Sequence, residues 1–399
     1  MFNAVLIICL FSTPTISLLA KITLFLLLIT SFTIMTLEEW SYAENLREKM
    51  GLMIIIIITT VLISQALATP WIIIIIEIQT YIMLSSSSWL KGSPKLIFNE
   101  ACLTYMFPAA LSTFTMCIGF IAYLKSGLNS VYPSIFISLA LLIKIGAVPF
   151  YIWIKTVYRG ISWSGIIILG ILNKIGIIII LSANIPSGYT IYFLIGILTI
   201  VVGSIMASNQ IGLKELWGFS GIASMGLILV LLYVAKLNNY SSTLIYCFID
   251  QIIIFLTIYA LSLLAFICII SKANINSQNQ INFSIPKLNK SMTHVYVMIL
   301  SLLSVAGIPP FAGFIIKFML LSEISSLTTG NLTILILLLN LPLIMAYLRL
   351  INKLVRLESY KYSYNIFSET RIPKRITQMA VTITLINMLA SLLIVLRLI

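Results

Sequence analysis

The stretch LALLIKIGAVPFYIW, residues 139–153, places Lys144 and Pro149 inside one apolar segment. Proline lacks the amide hydrogen that a helix needs, so it breaks or kinks the helix that contains it. A lone ammonium at the centre of a bilayer costs roughly 3 kcal/mol on insertion scales. The stretch therefore predicts a broken membrane helix whose lysine has a function. The function that suits a buried lysine is the movement of a cation, and the proton is the first candidate.

Two further lysines lie deep inside apolar stretches. Lys317 follows Pro309–Pro310 in SLLSVAGIPPFAGFIIKFMLL, residues 301–321, which repeats the combination of lysine and proline. Lys174 lies in IIILGILNKIGIIII, residues 166–180. Since each buried ammonium is costly, three of them in one chain indicate a polar path through the membrane.

Composition predicts an all-α polytopic membrane protein. Of 399 residues, 60% are hydrophobic and 9% are charged, whereas soluble domains are about 25% charged. The apolar runs are long enough to cross a bilayer, and they do not alternate with polar residues as barrel strands do. We predict about 12 transmembrane helices, within the range 11–13. The predicted segments are 4–37, 50–68, 71–89, 98–124, 131–157, 163–184, 189–207, 211–235, 242–270, 292–322, 331–355 and 376–398.

The basic residues are distributed unevenly across the predicted membrane. The net charge is +13, and the chain has 24 lysines and arginines. With the loops assigned alternately to two sides, 17 of these residues fall on one side, 3 on the other and 4 within the membrane. The positive-inside rule predicts this asymmetry. Because the basic residues follow topology, the charge does not indicate nucleic-acid binding.

The helix spacing predicts an internal repeat. Residues 1–49 form an N-terminal transmembrane region with a basic-side loop, and 356–399 form a polar loop with a C-terminal helix. Between them, 50–184 and 189–355 each hold five helices, of which the fourth is broken by proline. Because five is odd, the two repeats run in opposite directions, as in many secondary transporters. The alternative is that these prolines only produce kinks that help the helices pack. A functional role is favoured because the proline breaks occur at matched positions in the two repeats and each has a lysine.

Few carboxylates lie in the apolar segments. Glu77 follows five isoleucines, so it needs a counter-ion or a proton, and Lys144 is the best placed partner. Asp250 lies inside an apolar helix, where it is either a local contact or an extra protonatable site. Glu100 and Glu323 fall near helix ends and are predicted to be interfacial.

The sequence predicts that this chain binds no cofactor or metal of its own. Its 5 cysteines lie in apolar segments without a close pair, and it has 1 histidine. This pattern does not fit an iron–sulfur, haem or zinc site. Any energy that the chain uses must therefore come from outside it.

Five segments resemble the antiporter-like subunit 2 (subunit N) family of NADH–quinone oxidoreductase, respiratory complex I. The G-x-P-P run is shared with sister subunits and Mrp-type antiporters, while P-F-x-x-W-x-x-x-V-Y-x-G is typical of subunit 2. The resemblance covers residues 20–355. The segments are IEIQTYIML (76–84), LLIKIGAVPFYIWIKTVYRGIS (141–162), ILNKIGII (171–178), NQIGLKELWGFSGIASMG (209–226) and SLLSVAGIPPFAGFIIKFMLL (301–321).

The resemblance implies a role for each buried charge. Glu77 would couple this subunit to its neighbour, and Lys144 would be the central lysine of the first half-channel. Lys174 would connect it to Lys317, the lysine of the second half-channel, which faces the exit side. Protons would pass through buried water along this axis, driven by quinone reduction in partner subunits.

The resemblance also implies partners and a location. The partners would be other membrane-arm subunits, including neighbouring antiporter-like subunits, and lipid, with cardiolipin a candidate. Ubiquinone, FMN and iron–sulfur clusters are expected in the partner subunits. The isoleucine runs at 54–58 and 72–76 suit an AT-rich mitochondrial genome. The expected location is the mitochondrial inner membrane, multi-pass, with the basic loops on the matrix side.

The chain departs from the family pattern at three places. Tyr151 and Ser224 stand where the family often has histidine, so their hydroxyls or water would have to bridge the axis. The N-terminus is about two helices shorter than in bacterial relatives, which have 14. Two alternatives remain: an Mrp-type cation/proton antiporter subunit, and a structural membrane-arm subunit with an inactive channel, which the missing histidines favour.

Overall fold

The computed structural model describes most of the chain between residues 95 and 359, with shorter pieces on either side. Within the described residues the fold is all-helical and contains no β-strand. The described residues are 76–78, 80, 95–126, 131–161, 163–186, 190–237, 242–272, 292–327, 330–359, 378 and 380–385.

The described residues form eleven α-helices and one π-helical segment. We number them α1 to α11 in chain order. They are α1 Lys95–Ser126, α2 Val131–Ile145, α3 Ile152–Gly160, α4 Trp163–Ile167, the π-helical segment Ile168–Leu172, α5 Asn173–Asn184, α6 Thr190–Asn209, α7 Leu213–Leu237, α8 Ser242–Lys272, α9 Met292–Ala306, α10 Ala312–Leu327 and α11 Gly330–Ser359.

Six spans in the described residues are long and apolar enough to cross a membrane. Their positions agree with the predicted helices, which confirms an all-α membrane protein. The predicted segments 4–37 and 50–68, and most of 71–89 and 376–398, lie outside the described residues. The total of about 12 helices and the division into 1–49, 50–184, 189–355 and 356–399 therefore stay predictions.

Two long helices occupy the centre of the described bundle. The spans in α7 and α8 are each 94% buried, whereas those in α1, α6 and α11 are 22%, 39% and 33% buried. Helix α7 packs against α3 and α10, and α8 packs against α4, α9 and α10. The central helices therefore contact both of the helices that the prolines interrupt, and the outer helices present apolar side chains to lipid.

The first break, between α2 and α3, is a glycine-capped helix end. Gly146 has φ of +80°, a conformation that side chains disfavour. Its amide donates to the Ile143 carbonyl at 3.1 Å, and the Ala147 amide donates to the Leu142 carbonyl at 3.0 Å. These two bonds form a Schellman motif, which ends a helix. Pro149 then prevents the helix from resuming at once.

The second break, between α9 and α10, has the same backbone pattern. Gly307 also has φ of +80°. Its amide donates to the Ser304 carbonyl at 3.2 Å, and the Ile308 amide donates to the Leu303 carbonyl at 3.2 Å. Pro309–Pro310 follow the cap. Both interrupted helices therefore end by the same local mechanism, as the two lysine–proline segments predicted.

Replacing Gly146 with alanine should destabilise the fold. The new Cβ would clash with the Ile154 side chain, and the left-handed backbone adds about 1–2 kcal/mol for any residue with a Cβ. We expect Gly146→Ala to lower the free energy of unfolding by more than about 1 kcal/mol, measured by denaturation of the purified protein. Gly330→Ala is the control, since nothing lies within 4 Å of its added Cβ. Equal stability of the two variants would contradict the glycine-capped break.

Candidate functional site

Lys144 forms a buried ion pair with Glu77. The Lys144 ammonium lies 2.5 Å from Oε1 of Glu77, and the two side chains are 2% and 19% exposed. The Thr80 hydroxyl donates to the Glu77 backbone carbonyl at 2.8 Å, one turn along the same segment. The sequence predicted this pair, and the structure confirms it. Lys144 also lies in the last turn of α2, where the helix dipole favours a cation.

Polar side chains on other helices extend from this ion pair toward Lys174. Tyr105 on α1 is 5% exposed and lies near the Asn173 side chain and Glu77. Its ring meets Trp153 edge-on at 5.1 Å between centroids. Asn173 is the residue before Lys174. Sequence reasoning did not identify Tyr105 or Asn173. These two side chains lie between the Lys144–Glu77 ion pair and Lys174.

Lys174 is the second residue of α5, which follows the π-helical segment, and it is 5% exposed. Its ammonium donates to the Gly221 carbonyl of α7 at 3.5 Å. The Ser224 hydroxyl donates to the same carbonyl at 2.8 Å. Single π-helical turns within α-helices often occur at functional sites. The Gly221 carbonyl is thus shared by Lys174 and Ser224.

Lys317 on α10 caps the broken end of α9. Its ammonium donates to the carbonyls of Val305 at 2.8 Å and Ala306 at 3.1 Å. Carbonyls in the last turn of a helix have no partner within that helix. A cation there also interacts favourably with the helix dipole. The break in α9 and α10 therefore creates the oxygen ligands that hold Lys317.

A cavity of about 540 Å³ adjoins Lys317. It extends from Gly307 at the break to Ser325 and Thr333, near the adjacent ends of α10 and α11. Its walls are mostly apolar, with hydroxyl, amide and ammonium groups on them. These polar groups belong to Ser220, Ser224, Tyr259, Lys317, Ser322, Ser325, Thr333 and Asn340. The cavity therefore extends from Lys317 toward the adjacent ends of α10 and α11.

Three other carboxylates have different surroundings. The Gln251 amide of α8 donates to Oε1 of Glu323 on α10 at 3.0 Å, so Glu323 is tied to a neighbouring helix. Glu100 is exposed, as predicted for an interfacial residue. Asp250 is partly buried, and its two predicted roles stay open.

Lys214 lies in the first turn of α7, within the predicted segment 211–235 and at the end that the charge count assigned to the basic side. It is 6% exposed. Its ammonium donates to the Ile161 carbonyl and lies 5.3 Å from the centre of the Trp163 ring. These contacts connect α7 to the residues between α3 and α4.

The fold and its lysine-bearing breaks define a polytopic membrane subunit of the antiporter-like class. A family model described as NADH:quinone oxidoreductase/Mrp antiporter, TM, matches residues 75–341, more than half of the chain. The chain therefore belongs to the NADH:quinone oxidoreductase/Mrp antiporter family.

Curated relatives are similar to this chain at low identity. NADH-quinone oxidoreductase subunit N of Hydrogenovibrio crunogenus is 29% identical over 48% of this chain and 40% of its own length. NADH-ubiquinone oxidoreductase chain 2 of Anopheles gambiae is 27% identical over 71% of this chain and 85% of its own length. The chain thus spans less than half of the first relative and most of the second.

Solved structures share the fold. Respiratory complex I from Thermus thermophilus with bound Aureothin matches with a TM-score of 0.73 and 18% identity, covering 94% of this chain and 84% of its own. The Mrp complex from Dietzia sp. DQ12-45-1b matches with a TM-score of 0.73 and 13% identity, covering 94% of this chain and 80% of its own. At these identities the matches establish the fold alone.

Removing one member of the ion pair should cost more than removing both. Glu77→Gln leaves the Lys144 ammonium buried without a counter-charge, which typically costs about 3–5 kcal/mol in proteins. We expect the double variant Glu77→Gln/Lys144→Met to recover part of the loss, with a coupling of about 0.5–3 kcal/mol. Denaturation in detergent of the wild type, Glu77→Gln, Lys144→Met and the double variant measures this coupling. Strictly additive effects would show that the two side chains do not interact.

Proposed function

We propose that this chain is the antiporter-like subunit 2 (subunit N) of NADH:quinone oxidoreductase and that it relays protons across the membrane. The observation that carries the proposal is a row of buried lysines on successive packed helices. Lys144 lies on α2, which packs against α5, the helix of Lys174. Lys174 contacts α7, and α7 packs against α10, the helix of Lys317.

The ion pair would act as the input of the relay. A nearby carboxylate favours the protonated form of an amine, because opposite charges attract more strongly away from water. If Glu77 takes up a proton or moves toward a neighbouring subunit, Lys144 loses this support and releases its proton inward. The charge on Glu77 thus controls when Lys144 holds a proton.

The second break would provide the output. A proton reaching Lys317 has a cavity beside it that extends to the adjacent ends of α10 and α11. By the charge count, those ends lie on the membrane side that carries few lysines and arginines. The positive-inside rule makes that the external side. This placement supports an exit through Lys317, which is the direction that the resemblance implied.

The energy, cofactors and partners would lie outside this chain. Quinone reduction in partner subunits, with ubiquinone, FMN and iron–sulfur clusters, would drive the relay. Other membrane-arm subunits, including neighbouring antiporter-like ones, would contact it within lipid such as cardiolipin. We place it in the mitochondrial inner membrane with basic loops in the matrix, although its relatives include bacterial and chloroplast proteins.

An Mrp-type cation/proton antiporter subunit is the second candidate, because an Mrp complex and complex I match the fold with the same TM-score of 0.73. The names of the relatives by sequence, subunit N and chain 2, favour complex I. Mild-detergent extraction of the native membrane followed by mass spectrometry separates the two. A very large assembly with flavin and iron–sulfur subunits supports complex I, whereas a few small membrane subunits support the antiporter.

Replacing Lys144 or Lys317 with methionine should stop pumping without preventing assembly. Methionine keeps the length of the side chain but carries no proton, so the relay is interrupted. We expect NADH-driven proton uptake by sealed vesicles to fall at least tenfold in either variant. Lys155→Met is the matched control, because Lys155 lies on the half-helix α3 and its side chain is exposed.

Two results would contradict the relay. Unchanged proton uptake per NADH oxidised in Lys144→Met and Lys317→Met would support the structural subunit with an inactive channel. An equal fall in Lys155→Met would indicate a general loss of assembly instead. The amount of assembled complex in each membrane, measured on a native gel, normalises the comparison.

A further inference from the structure

The passage from Lys174 to the Lys317 cavity runs beside Gly221. A Cβ added to Gly221 would lie 3.2 Å from the Lys174 ammonium and 3.9 Å from the Tyr259 hydroxyl. The two polar groups therefore approach the same point from α5 and α8. Because glycine has no side chain, no Cβ occupies the point that both polar groups approach.

Tyr259 reaches from this point into the cavity. Its side chain lines the cavity together with Lys317. Its hydroxyl lies 3.1 Å from the Ser220 hydroxyl. The ring is held by Trp217, edge-on at 6.2 Å between centroids, and by Phe255, stacked at 6.5 Å. The Tyr259 ring, held by these two contacts, thus places its hydroxyl between Lys174 and the cavity beside Lys317.

The hydrogen-bond directions at this hydroxyl can be worked out. The Ser220 hydroxyl has one hydrogen, and it donates that hydrogen to the Trp217 carbonyl at 3.0 Å. Tyr259 must therefore be the donor in its bond with Ser220. The lone pairs of the Tyr259 oxygen remain available to accept a hydrogen bond from the direction of Lys174.

We propose that Tyr259 is the relay residue that passes protons between Lys174 and the Lys317 cavity, with Ser220 as the residue that positions it. This inference rests on the proposed function. A proton leaves the Lys174 ammonium through one water beside Gly221 and binds the Tyr259 oxygen. The original Tyr259 proton turns away from Ser220, passes to a water in the cavity and then reaches Lys317. One proton enters and one leaves, so Tyr259 ends neutral, and its hydroxyl turns back to Ser220.

Ser224 does not serve this purpose as well. Its hydroxyl donates to the Gly221 carbonyl, the atom that also accepts from Lys174. Two donors on one carbonyl share an acceptor and do not pass a proton to each other. Ser224 replaces the family histidine in the sequence, but the group that spans the gap in the structure is Tyr259.

The test compares two tyrosine-to-phenylalanine variants in the assembled native complex. Tyr259→Phe removes only the relay hydroxyl. Tyr192→Phe is the matched control, because Tyr192 forms the same kind of buried bond, at 2.5 Å with Ser138, between α6 and α2. We expect proton uptake per NADH oxidised to fall at least threefold in Tyr259→Phe and to stay unchanged in Tyr192→Phe. The solvent deuterium isotope effect on uptake should also rise in Tyr259→Phe, which a packing defect would not produce.

A second variant tests the same passage without changing any polar group. Gly221→Ala puts a methyl group into the space between Lys174 and Tyr259, so uptake should fall by a similar factor in the assembled complex. Gly330→Ala, with nothing within 4 Å of its added Cβ, should leave uptake unchanged.

The outcomes distinguish the inference from the function on which it rests. If Lys317→Met stops uptake while Tyr259→Phe pumps like the wild type, Tyr259 is not the relay residue and the proposed function stands. If Lys317→Met also pumps normally, the proposed function itself fails. Equal losses in Tyr259→Phe and Tyr192→Phe would overturn the inference, because they would show a general effect of removing a buried hydroxyl.

Discussion

Every buried ammonium in the described part of this protein is held by oxygen atoms, and the arrangement of the helices depends on that requirement. Lys144 has a carboxylate, Lys174 and Lys214 each have a backbone carbonyl, and Lys317 has two carbonyls. An intact helix offers few free carbonyls, because its own amides bond them. The break after α9 frees two such groups for Lys317, whereas Lys174 uses the Gly221 carbonyl inside the unbroken helix α7.

Sequence reasoning succeeded where the signal was local. Proline predicts that a membrane helix is interrupted, and the helices are interrupted beside Pro149 and beside Pro309–Pro310. The glycines that end α2 and α9 were not predicted. The apolar runs predicted the positions of the described helices to within a few residues. The pairing of Glu77 with Lys144 followed from the cost of leaving either charge alone in an apolar segment, and the structure confirms it.

The parts that sequence reasoning missed depend on contacts between helices far apart in the chain. Tyr259 on α8 and Gly221 on α7 meet Lys174 only after folding, and nothing in their local sequences marks them. The π-helical segment ILGIL is as apolar as its neighbours, so its geometry has no sequence signature. The predicted segment 211–235 includes Lys214, but its contacts with Trp163 and the Ile161 carbonyl also form only after folding.

The lysines of the two broken helices form different contacts relative to the break. Lys144 belongs to the half-helix that ends at its break, and its partner lies on a separate segment. Lys317 belongs to the half-helix after its break and donates hydrogen bonds to the last carbonyls of the half-helix before it. A change in the angle between α2 and α3 therefore leaves the Lys144 contact in place. A change in the angle between α9 and α10 must stretch or break the Lys317 hydrogen bonds. Any movement at the second break is therefore coupled to the position of the Lys317 ammonium.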